Sequence, residues 1–273
     1  ISVLSKKETL VTMDQMHEHL LGNSSSYLVA LTFDDGYKDN LNYALPILEK
    51  YNVPATIYVT TAFPDGDTWT WWFEIWDYIE KNNYIKLNFR NIEREWDTST
   101  KNGKNKCYKF FDSFLISLKK EEQILLFESL TQTSKRKQNK NLFLNWEDLK
   151  ILKKHPLITI GAHTHSHPNL SIIKDSEVLF EISHSKKLLE NKLKQKIDHF
   201  AYPYGTLNEA ANREYELAKQ LGFKTAVTTV QTSYDNFNMH AIPRYGIPYK
   251  LNSYALKGKL SGWEEFLRNL KLS

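Results

Sequence analysis

The sequence has one cysteine, Cys107, in 273 residues, so no disulfide can form within the chain. That neither requires nor excludes an oxidising compartment. No nucleophile signature surrounds Cys107, and it reads as a small buried apolar residue. Long apolar runs are absent as well. None approaches the roughly 18 residues that cross a bilayer, and no signal-peptide pattern is visible. The chain opens on Ile1 rather than methionine. A native segment ahead of it, with any targeting information, is therefore expected to have been removed, and the compartment stays open. A strong charge of one sign is lacking too, the formal net charge being +4. The densest basic spot, Lys135-Arg136-Lys137, has no base-reading motif beside it. It reads as a solvated loop, and no nucleic-acid partner is expected. No period of solenoid type appears.

The composition that is present is that of a globular chain, with 41% hydrophobic and 25% charged residues. Aromatic residues reach 13% and include seven tryptophans. Some of these belong in a core. The rest suit a surface on which sugar rings stack, although packing is the default for any single tryptophan.

Residues 9–22 have the apolar spacing of a short helix, ended at Ser24-Ser25-Ser26. Tyr27–Phe33 is a continuous apolar run of strand length, the pattern of a strand buried on both faces. It stops at Asp34-Asp35-Gly36, a helix follows over about 40–51, and Ala55–Val59 reads as a second strand. The stretch 64–140 is less regular. Its pattern predicts a helix over 69–84, a strand over 85–89, a loop over 97–106, and helices over 107–119 and 120–133. It is expected to be a mostly helical insertion in a single domain spanning 1–273. The strand–helix rhythm then returns. Asn145 sits at an N-cap before a helix to Lys154, 157–162 is a strand, and Asp175 caps a long helix to about Lys194. Residues 198–202 form a strand, 208–221 a helix closed by Gly222, and 223–228 another strand. A further strand at 241–244 and a last helix at 262–270 complete the pattern. Such alternation predicts a parallel α/β fold, either a barrel or an open sheet.

In such folds the chemistry sits at the C-terminal ends of the strands. Three polar clusters fall there: Thr32-Phe33-Asp34-Asp35-Gly36, His163-Thr164-His165-Ser166-His167 and Tyr202-Pro203-Tyr204-Gly205. His163 and His167 are four apart, so one helical turn would place both rings on one side. Two neutral imidazoles with one carboxylate form a common catalytic zinc set that leaves a position open for water. His165 lies between them and reads as structural or as touching the substrate's edge. Adjacent aspartates at a strand end are by themselves commonly turn formers or caps. Beside a metal they can divide the work, one ligating and the other taking a proton from water.

These clusters resemble the first three motifs of the NodB-homology polysaccharide deacetylases, carbohydrate esterase family 4. The resemblance runs from about Tyr27 to Arg244, with Gly161-Ala162-His163-Thr164 and His167-Pro168-Asn169-Leu170 especially close. It implies a distorted (β/α) barrel of about seven strands. It also implies metal binding by Asp35, His163 and His167, usually of zinc, with Asp34 as base. The backbone N–H of Tyr204 would stabilise the oxyanion, and Tyr202, Pro203 and His165 would border the substrate. The implied partner is an N-acetylated polysaccharide or oligosaccharide, and the implied reaction is removal of acetate from N-acetylhexosamine units of a surface, capsular or exopolysaccharide glycan. The alternatives are an O-acetyl esterase on a polysaccharide and a glycan-binding module with impaired catalysis.

Two positions depart from the family pattern. Ala201 stands where many members have arginine, and Phe200-Ala201-Tyr202-Pro203-Tyr204-Gly205 is similar to the branch acting on exopolysaccharide poly-N-acetylglucosamine, in which a later arginine substitutes. Arg244 fits that role. The family's acid histidine has no counterpart, and His240 is the one local candidate. His17, His19, His155, His184 and His199 read as helix-surface or strand-edge residues.

Overall fold

The computed structural model describes residues 1–2, 4–22, 27–231 and 238–247. A one-turn helix α1 (Leu4–Lys7) precedes β1 (Thr9–Leu10) and α2 (Met13–Leu21). Thr12 starts α2 through a capping box: its Oγ1 accepts from Gln15 N–H, and Gln15 Oε1 accepts from Thr12 N–H. The cap fixes the helix start at Met13. Thr9 and Leu10, expected to be helical, pair instead in parallel with Leu28 and Val29 of β2 (Leu28–Val29). One residue later β3 (Leu31–Phe33) pairs with β4 (Ala55–Val59). The single strand expected over 27–33 is thus divided at Ala30 between two neighbours.

Between β3 and β4 the chain makes a π-helical turn at Asn40–Ala44 that runs into α3 (Leu45–Tyr51). The insertion follows: α4 (Trp71–Lys81), β5 (Tyr84–Phe89), β6 (Ile92–Asp97), α5 (Lys101–Ile116) and α6 (Lys120–Thr131). After it come α7 (Trp146–Leu152), β7 (Ile158–Ala162), α8 (Asp175–Leu193), β8 (His199–Ala201), α9 (Asn212–Gln220) and β9 (Thr225–Val227). The main sheet is five-stranded and all parallel, in the order β3-β4-β7-β8-β9. The parallel α/β class expected from the pattern is therefore present. The strand count of about seven is not reached among the described residues. β1 and β2 form their own pair, and the strand expected at 241–244 shrinks to one parallel bridge from Ile242 to Val227. The helix expected at 262–270 and the break at Ser24–Ser26 lie outside the described residues.

Both faces of the sheet are covered, as a parallel sheet requires. Ile57 and Val59 of β4 join Ile160, Phe200 and Ala226 in a large core with apolar residues of α3, α7, α8 and α9. Tyr58, alternating with them, faces a smaller cluster with Met13, Ala201, Val227 and Ile242. Gly161 allows this packing, because a Cβ there would stand 2.5 Å from the Tyr58 ring and 2.9 Å from His199 O.

The insertion has its own core, including Trp71, Ile75, Ile85, Leu87, Phe111, Leu115 and Phe127. It departs from expectation in two places. Residues 92–97 form a second strand, antiparallel to β5. The expected loop at 97–106 is largely helix: Thr100 Oγ1 accepts from Gly103 N–H and starts α5 at Lys101, six residues early. Gly103 is needed in that turn, because a Cβ would lie 1.8 Å from Asp97 O. Asn145 caps α7 as expected, with Asp148 reciprocating. Asp175 is the first residue of α8 rather than its cap, a position held by Lys174. Gly222, at φ +73, follows the end of α9 as expected.

Candidate active site

The three polar clusters meet at the C-terminal edge of the sheet. Asp34 and Asp35 follow β3, His163 follows β7, and Tyr204 lies just past β8. Four residues of this edge carry positive φ: Asp35 at +70, Thr164 at +60, His167 at +58 and Tyr204 at +60. Of the other non-glycine residues in that region, Asn52, Gln132 and Lys194 end helices and Arg90 turns the β5–β6 hairpin. Left-handed backbone at a non-glycine residue is costly and concentrates where a site dictates geometry.

His163 and His167 do come together, their ring centroids 5.0 Å apart, but on a loop and not on the expected helical turn. Thr164 Oγ1 accepts the N–H of His167 and tightens that loop. Glu181 of α8 braces it from behind, its carboxylate accepting from the N–H groups of His165 and Ser166 and from the Ser166 hydroxyl. The Nε2 atoms of His163 and His167 lie 3.4 and 3.2 Å from Asp35 Oδ1. Two donors about 2.0–2.1 Å from a tetrahedral ion stand about 3.3–3.4 Å apart, so the spacing suits a shared cation. His163 Nδ1 lies 2.7 Å from Ala201 O. Donation of a proton to that carbonyl leaves the Nε2 lone pair aimed at Asp35.

Asp35 Oδ1 is buried and makes no hydrogen bond. Burial alone would raise its carboxyl, but the His167 and His163 rings outweigh it and hold the group well below the ordinary carboxylate range. An orphaned carboxylate oxygen between two imidazoles is a donor set that fits a divalent metal. Asp35, His163 and His167 form the one such cluster among the described residues.

Asp34 faces a different partner. Arg244 Nη1 and Nη2 donate to its two oxygens, each at 2.7 Å. The same guanidinium donates to Thr32 Oγ1 and, through Nε, to Thr228 O, both at 3.0 Å. Burial pushes the Asp34 carboxyl up, and Arg244 followed by His163 pulls it below its ordinary value, so it is ionised near neutrality. Tyr204 stacks edge-on against His167 at 4.8 Å, and its phenol accepts from Trp71 Nε1. Its backbone N–H makes no hydrogen bond among the described residues. Asp34, Asp35, His163 and His167 open into a cavity of about 500 Å³. Its other walls include Trp71, Trp72, Tyr108, Asp112 and Tyr204.

Other expected site residues lie elsewhere. Tyr202, expected at the substrate, is fully buried in the core, and its hydroxyl donates to His240 O. Alternation along the extended chain turns it away from the cavity. Pro203 is buried and does not line the cavity, while its carbonyl accepts from Gly205 N–H. His165 is turned outward, with Nδ1 2.9 Å from Thr61 Oγ1 and its ring edge-on to His184. It is not among the residues that line the cavity. His240 Nε2 lies 2.9 Å from Phe223 O, just ahead of β9 and at the far end of the sheet from the donors. The proton donor expected there is not supported. His199, expected at a surface or edge, is 1% exposed, and burial lowers its pKa to about 4.

Glu181, Asp112 and the Trp71–Trp72 pair were not singled out by the motifs. Glu181 was legible in one respect: it is a charge on the apolar stripe of α8, between buried Val178 and Ile182. Asp112 carried no signal, because the cavity wall it belongs to comes from the insertion.

A family model described as polysaccharide deacetylase matches residues 22–226. YxkH of Bacillus subtilis (strain 168), which is named as a polysaccharide deacetylase, is 24% identical over 205 residues. That match covers 75% of this chain and 46% of YxkH, so the chain spans under half of that relative's length. Among solved structures, Streptococcus pyogenes deacetylase PplD in complex with acetate superposes with a TM-score of 0.62 at 18% identity, covering 95% of this chain and 83% of PplD. The de-N-acetylase from Aggregatibacter actinomycetemcomitans gives 0.60 at 16% identity, over 94% and 86% of the two chains. These structures share the distorted-barrel fold with this one.

Proposed function

This chain belongs to the polysaccharide deacetylase family, and from that premise we propose that it removes N-acetyl groups from N-acetylhexosamine units of a surface, capsular or exopolysaccharide glycan. The observation that carries the reading is the pairing of two unlike carboxylates at one strand end. Asp35 stands orphaned between two imidazoles, and Asp34 is clamped by an arginine. One is built to ligate and the other to move a proton.

Asp35, His163 and His167 would hold one divalent cation, with zinc the first candidate from the two-imidazole, one-carboxylate set. When bound, such an ion polarises the acetyl carbonyl and lowers the pKa of water toward about 7. Asp34, kept ionised and oriented by Arg244, takes the proton from the attacking water. The N–H of Tyr204 is aimed by its left-handed backbone and is free to donate to the oxygen that gains charge. Trp72 and Tyr108, both partly exposed, offer faces on which a sugar ring stacks. Water and the acetamide are consumed, and acetate and the free amine are released.

An O-acetyl ester is the second reading. Among the described residues no histidine besides His163 and His167 lines the cavity, and an alkoxide leaves with less help from a proton than an amine does. Acetate release from N-acetylglucosamine oligomers and from acetylated xylan, measured side by side, separates the two. Asp34→Asn is expected to abolish release while leaving the metal bound. Full activity in that variant would refute the role given to Asp34.

A further inference from the structure

Cleavage of an acetamide needs a second proton movement, because an amine cannot leave as its anion near neutral pH. The groups already described do not supply it. Asp34, held ionised by Arg244, is already given to the proton of the attacking water, and the donor set would be taken up by the cation. The Tyr204 phenol accepts from Trp71, and burial raises its pKa far above neutrality. Of the remaining carboxyls that line the cavity among the described residues, Glu209 is occupied in its own turn, accepting from both the N–H and the hydroxyl of Thr206.

Asp112 is left. It lies on α5, and Tyr108, Asp112 and Ile116, spaced four apart, line the cavity as one stripe of that helix. The neighbouring stripe of Cys107, Phe111 and Leu115 is fully buried in the core of the insertion. Packing on one side of α5 therefore holds the Asp112 carboxyl in the cavity on the other. Asp112 makes no hydrogen bond and no ion pair with any described residue, so none of these residues takes up its proton or lone pairs. It is near enough to the Tyr204 phenol to act on it together with Asp35 and Glu209. Burial lifts its carboxyl above the ordinary aspartate range, which favours the protonated form a donor requires.

We propose that Asp112, supplied by the insertion, is the acid that protonates the departing amine. The inference rests on the deacetylase reading. As the bond between the acetyl carbon and nitrogen breaks, its electron pair goes to nitrogen, which takes the proton of the Asp112 carboxyl. Acetate and the free amine leave. Asp112 is then a carboxylate and Asp34 holds the proton taken from water, and exchange with solvent restores both.

The test compares the metal-loaded full chain with its Asp112→Asn and Asp112→Glu variants on two substrates. One is an N-acetylglucosamine oligomer. The other is 4-nitrophenyl acetate, whose phenolate leaves without a proton. Asparagine at 112 is expected to lower kcat/KM on the oligomer by about 10²–10⁴-fold and on the aryl ester by about 10-fold at most. Glutamate is expected to recover part of the oligomer activity, and the metal content and Tm should match the parent chain. Equal losses on both substrates, or oligomer turnover within about 3-fold of the parent, would overturn the proposal. If the parent chain cleaves the aryl ester and no N-acetyl substrate, the deacetylase reading fails and this inference falls with it. If the parent cleaves both and Asp112→Asn is unaffected, the inference alone fails.

Discussion

Replacing Arg244 by lysine keeps a positive charge beside Asp34 and removes the fork that orients it. The guanidinium makes four hydrogen bonds: two to Asp34, one to Thr32 Oγ1 and one to Thr228 O. An ammonium is a single point with three donors, and it cannot span both carboxylate oxygens and the Thr228 carbonyl together. The variant thus gives up at least one bond to a charged group, about 1.5–3 kcal/mol, and one neutral bond, about 0.5–1.5 kcal/mol. Water recovers part of this, because the Asp34 side chain is 31% exposed. A net loss of about 2–3 kcal/mol is expected, which a chain of ordinary stability survives. Denaturant midpoints measure it.

The catalytic loss should be larger in proportion. Asp34 would swing away from the attacking water, and a misplacement of about 1 Å lowers kcat by about 10²-fold. Arg244 also holds the Asp34 carboxyl below its ordinary value. A depressed carboxylate contributes stability above its unfolded pKa, and that contribution is lost as pH falls through the folded value. Weakening the depression moves the acidic limb of both stability and kcat/KM to higher pH. Acetate release across pH 4–8 reads both effects. Turnover within about 2-fold of the parent, with the acidic limb unmoved, would refute the positioning role.

Three further outcomes follow from the same contacts. Glu181→Ala removes three hydrogen bonds from the His163–His167 loop and should weaken zinc affinity about 10–100-fold, read by competition with a fluorescent chelator. Gly161→Ala drives a Cβ into the Tyr58 ring and the His199 carbonyl; a loss of about 1–3 kcal/mol is expected in urea unfolding. His199 is buried with its pKa lowered to about 4 from 6.5. The unfolded chain then binds the extra proton first, so stability should fall as pH drops from 6.5 toward 4, and His199→Gln should flatten that slope in thermal melts.

The sequence displayed the site more fully than the fold. Asp34 and Asp35 are adjacent and His163 and His167 are four apart, each pair follows an apolar strand, and the structure brings all four to one cavity. Arg244 lay far off in sequence, yet the family resemblance implied a later arginine in place of the one missing at Ala201, and Arg244 does bind Asp34. Tyr202 and His240 show the limit of motif reasoning. A motif says that a residue is near the site and not which way its side chain points, and both point into the core or toward the opposite end of the sheet. The fold was misread where a cap overrides composition. Thr12 moves a helix start later, and Thr100 makes a helix from a Gly/Asn/Lys-rich stretch. The strand expected at 241–244 failed for another reason, since the apolar residues that suggested it pair with the sheet only through a single bridge at Ile242. Asp112 and the tryptophans opposite the donors could not be read at all, because which face of an inserted helix meets the site is settled by tertiary packing.

The central claim is that Asp35, His163 and His167 hold one divalent cation and that hydrolysis depends on it. Metal content and acetate release from N-acetylglucosamine oligomers, measured together on the parent chain and on Asp35→Ala, test it most directly. The parent should carry about one ion per chain, lose acetate release on chelation and regain it with added zinc, while Asp35→Ala should have neither metal nor activity. Acetate release by chelated, metal-free protein, or an ion retained in full by Asp35→Ala, would contradict it.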